Sequence, residues 1–178
     1  MKKTSPRPRV SLSPCPPYLP SPSPPLLPPP NTPGETIMTS QMTLQQQSVS
    51  LDDARRVIAA GEERARAIGQ PMNIAVVDAG GNLVAHIRMD GAWLGSIDIS
   101  INKAFTARAF NLATKALAEN AQPGEQFFGI HASNAGRVMI FAGGIPLQRG
   151  GQIVGAVGVS GGSGEQDQTV AEAAAAAF

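Results

Sequence analysis

Residues 73–92, NIAVVDAGGNLVAHIRMDGA, decide the fold. NIAVVDA and NLVAHIRM both read as strands, and Gly80-Gly81 between them is turn chemistry, so the stretch reads as a hairpin. Asp90-Gly91-Ala92 turns the chain again. Working backward, Leu51, Ala54, Val57, Ile58, Ala65 and Ile68 recur at helical spacing. Ser50 and Asp53 make a capping box with Asp in place of Glu, and Gly69 and Pro71 stop the helix. Its outer face is rich in Arg and Glu. Working forward, Ser96 reads as the cap of a long helix over about 97–118, which ends before Pro123 and Gly124. Three strand-like runs follow, RVMIFA, IPLQR and QIVGAVGV. Gly143-Gly144 and Gly150-Gly151 separate them, which suits tight antiparallel connections. An alanine-rich helix follows SGGSGEQD. The order α-β-β-α-β-β-β-α predicts an α+β domain over residues 48–178.

The middle helix is apolar on two sides. Ile97, Ile101, Phe105 and Leu112 form one stripe; Ile99, Phe110, Ala113 and Leu117 form another, nearly opposite. One side covers the sheet. The other needs a second layer that this small domain has few residues left to supply, so a subunit interface and a homo-oligomer are expected.

The first 37 residues are a different material. They hold 13 of the 16 prolines, with four basic residues against one acidic, net +3. Proline lacks an N–H and fixes φ, so PSPSPPLLPPP is expected to be a disordered, extended, solvated segment. Its PxxP spacings also allow an SH3-type ligand, although composition alone produces them. Met38 and Met42 are plausible alternative starts. No continuous apolar run follows Lys2 and Lys3, so no signal peptide is read, and no apolar run reaches the length of a membrane span. A cytoplasmic location is the expectation. The rest of the chain carries ten basic and twelve acidic residues, net −2, which gives no electrostatic footprint for nucleic acid. A single cysteine, Cys15, excludes an intrachain disulfide and a cysteine-rich zinc site. No Ser-His-Asp order, Cys-His pair or close acidic pair points to hydrolase chemistry.

VVDAGGNLVAHIRMDGA, SIDISINKAFTA, GRVMIFAGGIPL and GQIVGAVGVSGGSGEQD, in this order and spacing, resemble the GlcG/HbpS family, which includes the C-terminal domain of PduO-type proteins. The resemblance spans about residues 49–178. It implies a five-stranded antiparallel sheet flanked by helices, and dimer-based homo-oligomers up to octamers. It also implies a small-molecule ligand. Some members bind haem and one extracellular member is linked to haem degradation and redox sensing, so haem is the cofactor the resemblance suggests. In PduO-type domains a histidine after the Gly-Gly turn binds haem; here that position is Asn82, a poor iron ligand.

His86 lies four positions beyond Asn82, on the same strand face by period two and about 13 Å away at about 3.3 Å per residue. A neutral imidazole is a good haem ligand, and Arg88 beside it could pair with a propionate. A surface or interface histidine is the competing reading. His131, in FFGIHASNAG, is the other histidine; the two could make a bis-histidine site across subunits, although nothing in the sequence places them together. Lys103, in KAFTA, borders an apolar stripe. It is a candidate base or carboxylate ligand, or else a lysine that snorkels or pairs with Asp98 or Asp90. Asp90 carries turn chemistry, its side chain accepting backbone N–H groups. Arg137, with Arg88 and Lys103, is a candidate anion patch by resemblance and scarcity of charge. Ser160-Gly161-Gly162-Ser163-Gly164 runs from a strand into a helix. It reads as an anion-binding turn or a plain cap, and it does not match the nucleotide pattern GxxxxGK[ST]. The leading reading is a small-ligand-binding protein that binds, or helps to degrade, haem. An enzyme or accessory subunit acting on a small carboxylate or hydroxy acid is the alternative, as is a non-catalytic oligomeric interaction subunit.

Overall fold

The computed structural model describes residues 46–178. The expectations for residues 1–37 lie outside them. Helix α1, Leu51–Ala67, begins where its capping residues predict. Ser50 Oγ accepts the Asp53 N–H at 3.1 Å, and the Asp53 carboxylate accepts the Ser50 N–H at 3.0 Å. A cap of this kind stabilises a helix by about 1 kcal/mol. Asp53 also receives Arg149 at 3.0 Å and Arg56 at 2.5 Å. Arg149, followed by the Ser50 bonds, holds its carboxyl far below the usual carboxylate range. Ala54, Val57, Ile58 and Ala65 form the buried face. Leu51, the first residue of the helix, does not join them; it is 48 % exposed.

Strands β1 (Asn73–Val77) and β2 (Leu83–Arg88) form the hairpin read from residues 73–92. Strands β3 (Gly144–Arg149) and β4 (Gln152–Ser160) form a second, turning at Gly150-Gly151 with φ of +59° and +78°. Positive φ at both turn positions suits two-residue hairpin connections, and glycine adopts it without strain. The sheet is antiparallel in the order β2-β1-β4-β3. Helix α1 and the closing helix α4, Gly164–Ala176, cover one face, on Ile74, Val76, Val157, Val159 and Leu147. Helix α2, Ser96–Phe110, covers the other, on Ala75, Val77 and Ala156.

Three expectations are corrected. The sheet has four strands, not five. The missing one is RVMIFA, residues 137–142. A strand needs a neighbour's ladder, and this segment's bonds go to a helix instead: Met139 N–H donates to Thr106 Oγ1 at 2.9 Å, and that hydroxyl lies 3.2 Å from Arg137 O. The middle helix is broken in two, because Asn111 adopts φ +52° after α2 and a short helix α3 spans Thr114–Asn120. Asparagine is among the few residues that take this left-handed position readily. Finally, Gly95 and not Ser96 occupies the cap of α2. Ser96 is the first helical residue, with its hydroxyl buried 3.2 Å from Ser160 Oγ.

The two apolar stripes of the middle helix flank its contact with the sheet. The residues facing the sheet lie between them: Ser100, Lys103, Ala104 and Ala107 are buried, whereas Phe110 and Leu112 are 37 % and 38 % exposed. Glycine is the cause. Ala75, Gly158 and Gly144 form one cross-strand row. A Cβ at Gly158 would stand 2.1 Å from Ser100 O and 2.4 Å from Ala104 N. The helix backbone therefore rests on the sheet, and larger side chains are displaced to its flanks. Among the described residues no helix is long and apolar enough to cross a membrane.

Candidate functional site

The structure separates the sequence candidates into three places. The first is buried. Lys103 has no exposed surface, and its Nζ donates to Asp167 Oδ2 at 2.6 Å and to Val159 O at 2.8 Å. The Phe141 ring lies 4.6 Å from the ammonium. Asp167 Oδ1 accepts the Gly162 N–H at 3.0 Å. Desolvation pulls the Lys103 ammonium below the usual lysine range, and Asp167 opposes that pull. The partner is thus neither Asp98 nor Asp90. A cleft of about 280 Å³ opens nearby, lined by Lys115, Ala142, Gly164, Glu165, Gln168 and Glu172 among others, but Lys103 is not in its wall. Sequence reasoning missed Asp167 as a partner, since an acid in a first helical turn reads as a helix-dipole residue.

The loop 160–164 is a cap. Ser163 Oγ accepts the Gln166 N–H at 3.3 Å, Gln166 Oε1 accepts the Ser163 N–H at 2.9 Å, and Asp167 takes the Gly162 N–H. These donors are already engaged, which argues against a free anion-binding turn.

The second place is the α2 side of β2. His86 stands opposite Ala75 and Arg88 opposite Asn73, and cross-strand partners share a face. Helix α2 lies over β4, β1 and β3 and hardly reaches β2. His86 is half-buried, its Nε2 covered and without a hydrogen-bond partner; burial pulls the imidazole below its ordinary value. Asn73 is fully buried, donates to Trp93 O at 3.0 Å, and leaves its Oδ1 without a partner. Arg88 is exposed at the strand end. Period two does not carry from His86 to Asn82. A bulge puts Leu83 opposite Val77 and Ala85 opposite Val76, so Val84 is the extra residue and Asn82 falls in the turn before the strand. Asp90 is exposed, and no backbone N–H among the described residues donates to it. The turn role expected of it belongs to Asp78, whose Oδ1 accepts the Gly80 and Asn82 N–H groups at 2.8 Å each.

The third place joins that turn to Arg137. The Arg137 guanidinium lies 3.7 Å from the Phe105 ring centroid, and its Nε donates to Asn102 Oδ1 at 3.3 Å. On the turn side, a Cβ at Gly81 would stand 3.3 Å from Phe105 Cδ2, so the turn backbone packs on the same ring. Asn82 is one residue away, its Nδ2 placed 3.3 Å from both Asp78 carboxylate oxygens. Arg137 has no carboxylate partner among the described residues. His131 sits apart, exposed in a 3-10 turn at Ile130–Ala132. No group of three or more metal-ligating side chains occurs among the described residues.

Comparison with known proteins gives the family. Residues 49–176 match the family model described as haem degrading protein HbpS-like. An uncharacterised 15.0 kDa protein in the dhaT-dhaS intergenic region of Citrobacter freundii is 41 % identical over 131 residues, which cover 74 % of this chain and 92 % of that protein. Protein GlcG of Escherichia coli strain K12 is 40 % identical over 123 residues, covering 69 % of this chain and 85 % of GlcG. A crystal structure of a PduOC:heme complex superposes with a TM-score of 0.71 at 38 % identity, covering 73 % of this chain and 94 % of that one.

Proposed function

This chain belongs to the HbpS-like family, and from that premise we propose that it is a small-ligand-binding protein whose ligand is haem. The observation that carries the reading is His86. Burial pulls its imidazole below the ordinary histidine value, which favours the neutral form, and its Nε2 has no hydrogen-bond partner, so the ring has a free lone pair of the kind that could hold iron. The likeness to the PduOC:heme complex supports the same ligand. Asn82, tied to Asp78 in its own turn, is unsuited to iron. Nε2 is covered by the chain itself, so ligation by His86 requires the ring to turn outward. Arg88, two residues along on the same face, is the candidate to pair with a propionate. Bound haem would supply redox-active iron.

Reconstitution with hemin tests the reading. The parent protein is expected to develop a Soret band, His86→Ala to lose or shift it, and His131→Ala to keep it. Loss in the His131 variant alone would move the iron to that residue, and no band in the parent would remove haem from the account.

The chain is further proposed to work as a homo-oligomer. Trp93, Leu94 and Phe128 are 63 %, 72 % and 62 % exposed, a large apolar display for so small a domain. Sedimentation at micromolar concentration is expected to show no monomer; a stable monomer would mean that these side chains remain in water.

A further inference from the structure

Arg137 differs from an ordinary surface arginine. Its side chain is immobilised twice, by stacking on Phe105 and by the Nε bond to Asn102 Oδ1. Phe105 is in turn seated against Gly81. No carboxylate among the described residues pairs with it, and Asp78 makes its own hydrogen bonds within its turn, to Gly80 and Asn82. What is left is the terminal fork of the guanidinium, with neither terminal nitrogen bonded to protein among the described residues, on a rigid mount beside the turn that carries Asn82. A fork held in this way binds carboxylates in a bidentate manner, and little side-chain freedom is lost when it does so.

We infer that Arg137 is a further carboxylate anchor, beside the turn that carries Asn82 and separate from Arg88 on the His86 strand, with Asn102 and Phe105 as its positioning residues. The inference rests on the small-ligand reading above and narrows it to ligands that carry a carboxylate. Two sources share that chemistry, a haem propionate and a free small carboxylate. Lys103 takes no part, being engaged with Asp167 in the interior.

The experiment uses the full chain, with Arg137→Gln and Asn102→Ala as variants and three probes: hemin, hemin dimethyl ester and sodium propionate. Arg137→Gln removes a charge-assisted bidentate pair, and is expected to raise the hemin Kd about 10- to 100-fold. The dimethyl ester, whose carboxylates are capped, is expected to bind parent and variant alike. Asn102→Ala keeps the charge but frees the guanidinium, so a smaller loss is expected; it also carries the test if Arg137→Gln fails to fold. Equal hemin affinity in parent and variants would overturn the anchor and leave haem binding standing. If hemin gives no Soret band in the parent, the haem reading fails and propionate decides the anchor alone. A rise in Tm with propionate over equal chloride, present in the parent and absent from Arg137→Gln, supports it. An equal rise in both, or none in either, overturns it.

Discussion

Lys103→Met is expected to cost about 3–5 kcal/mol of stability, because it strands a buried carboxylate. Asp167 is 2 % exposed, and its Oδ2 has the Lys103 ammonium as its one charged partner. The pair also spans the fold: Lys103 belongs to α2, Asp167 to α4, and Val159, whose carbonyl accepts a second Lys103 N–H, to β4. Removing one charge leaves the other dry, whereas removing both does not. Combining Lys103→Met with Asp167→Asn, which keeps an acceptor for the Gly162 N–H, is expected to recover more than half of the loss. Urea unfolding at neutral pH measures both. A single-variant cost under about 1 kcal/mol would show that water reaches Asp167.

Gly158→Ala is expected to cost about 3 kcal/mol or more, at the upper end of overpacking effects. The new methyl would meet main-chain atoms of α2, Ser100 O at 2.1 Å and Ala104 N at 2.4 Å, and backbone within a helix cannot swing aside as a side-chain tip can. The helix must lift from the sheet, breaking the contact of Ala104 and Ala107 with Ala75 and Val77. Gly95→Ala is the control. It sits at φ −64° with nothing within 4 Å of its would-be Cβ, and is expected to stay within about 0.5 kcal/mol of the parent. Thermal melts of the two variants side by side decide the matter; equal melting points would mean that α2 does not lie on the glycine row.

Much of the fold is legible from local signals. The hairpin of residues 73–92 announces itself by its turn glycines between strand-like runs, and α1 by a cap whose two partners are three residues apart. What escapes is non-local. RVMIFA has a strand's composition, but only its surroundings reveal that Thr106 answers its backbone groups. Gly143-Gly144 reads as a turn, whereas Gly144 lies in β3, where a Cβ would stand 2.6 Å from Lys103 O. Lys103 stands out in the sequence as unusual, yet its acid partner is 64 residues away, beyond the reach of any spacing rule. At the candidate site, period two misplaces Asn82 relative to His86, because one bulged residue reverses every face assignment beyond it. The stack of Arg137 on Phe105 has no signature in the sequence.

The outermost strands of the sheet bear on how copies of the chain can meet. An open sheet margin invites another chain to add a strand. On one margin β3 carries Pro146, which offers no N–H to a newcomer, and a ladder tolerates proline where that missing donor would point outward. On the other, β2 is kinked by its extra residue at Val84 and ends on the exposed cation of Arg88. Both margins are therefore poor templates for main-chain growth. A strand added by another chain would find no ready ladder on either margin.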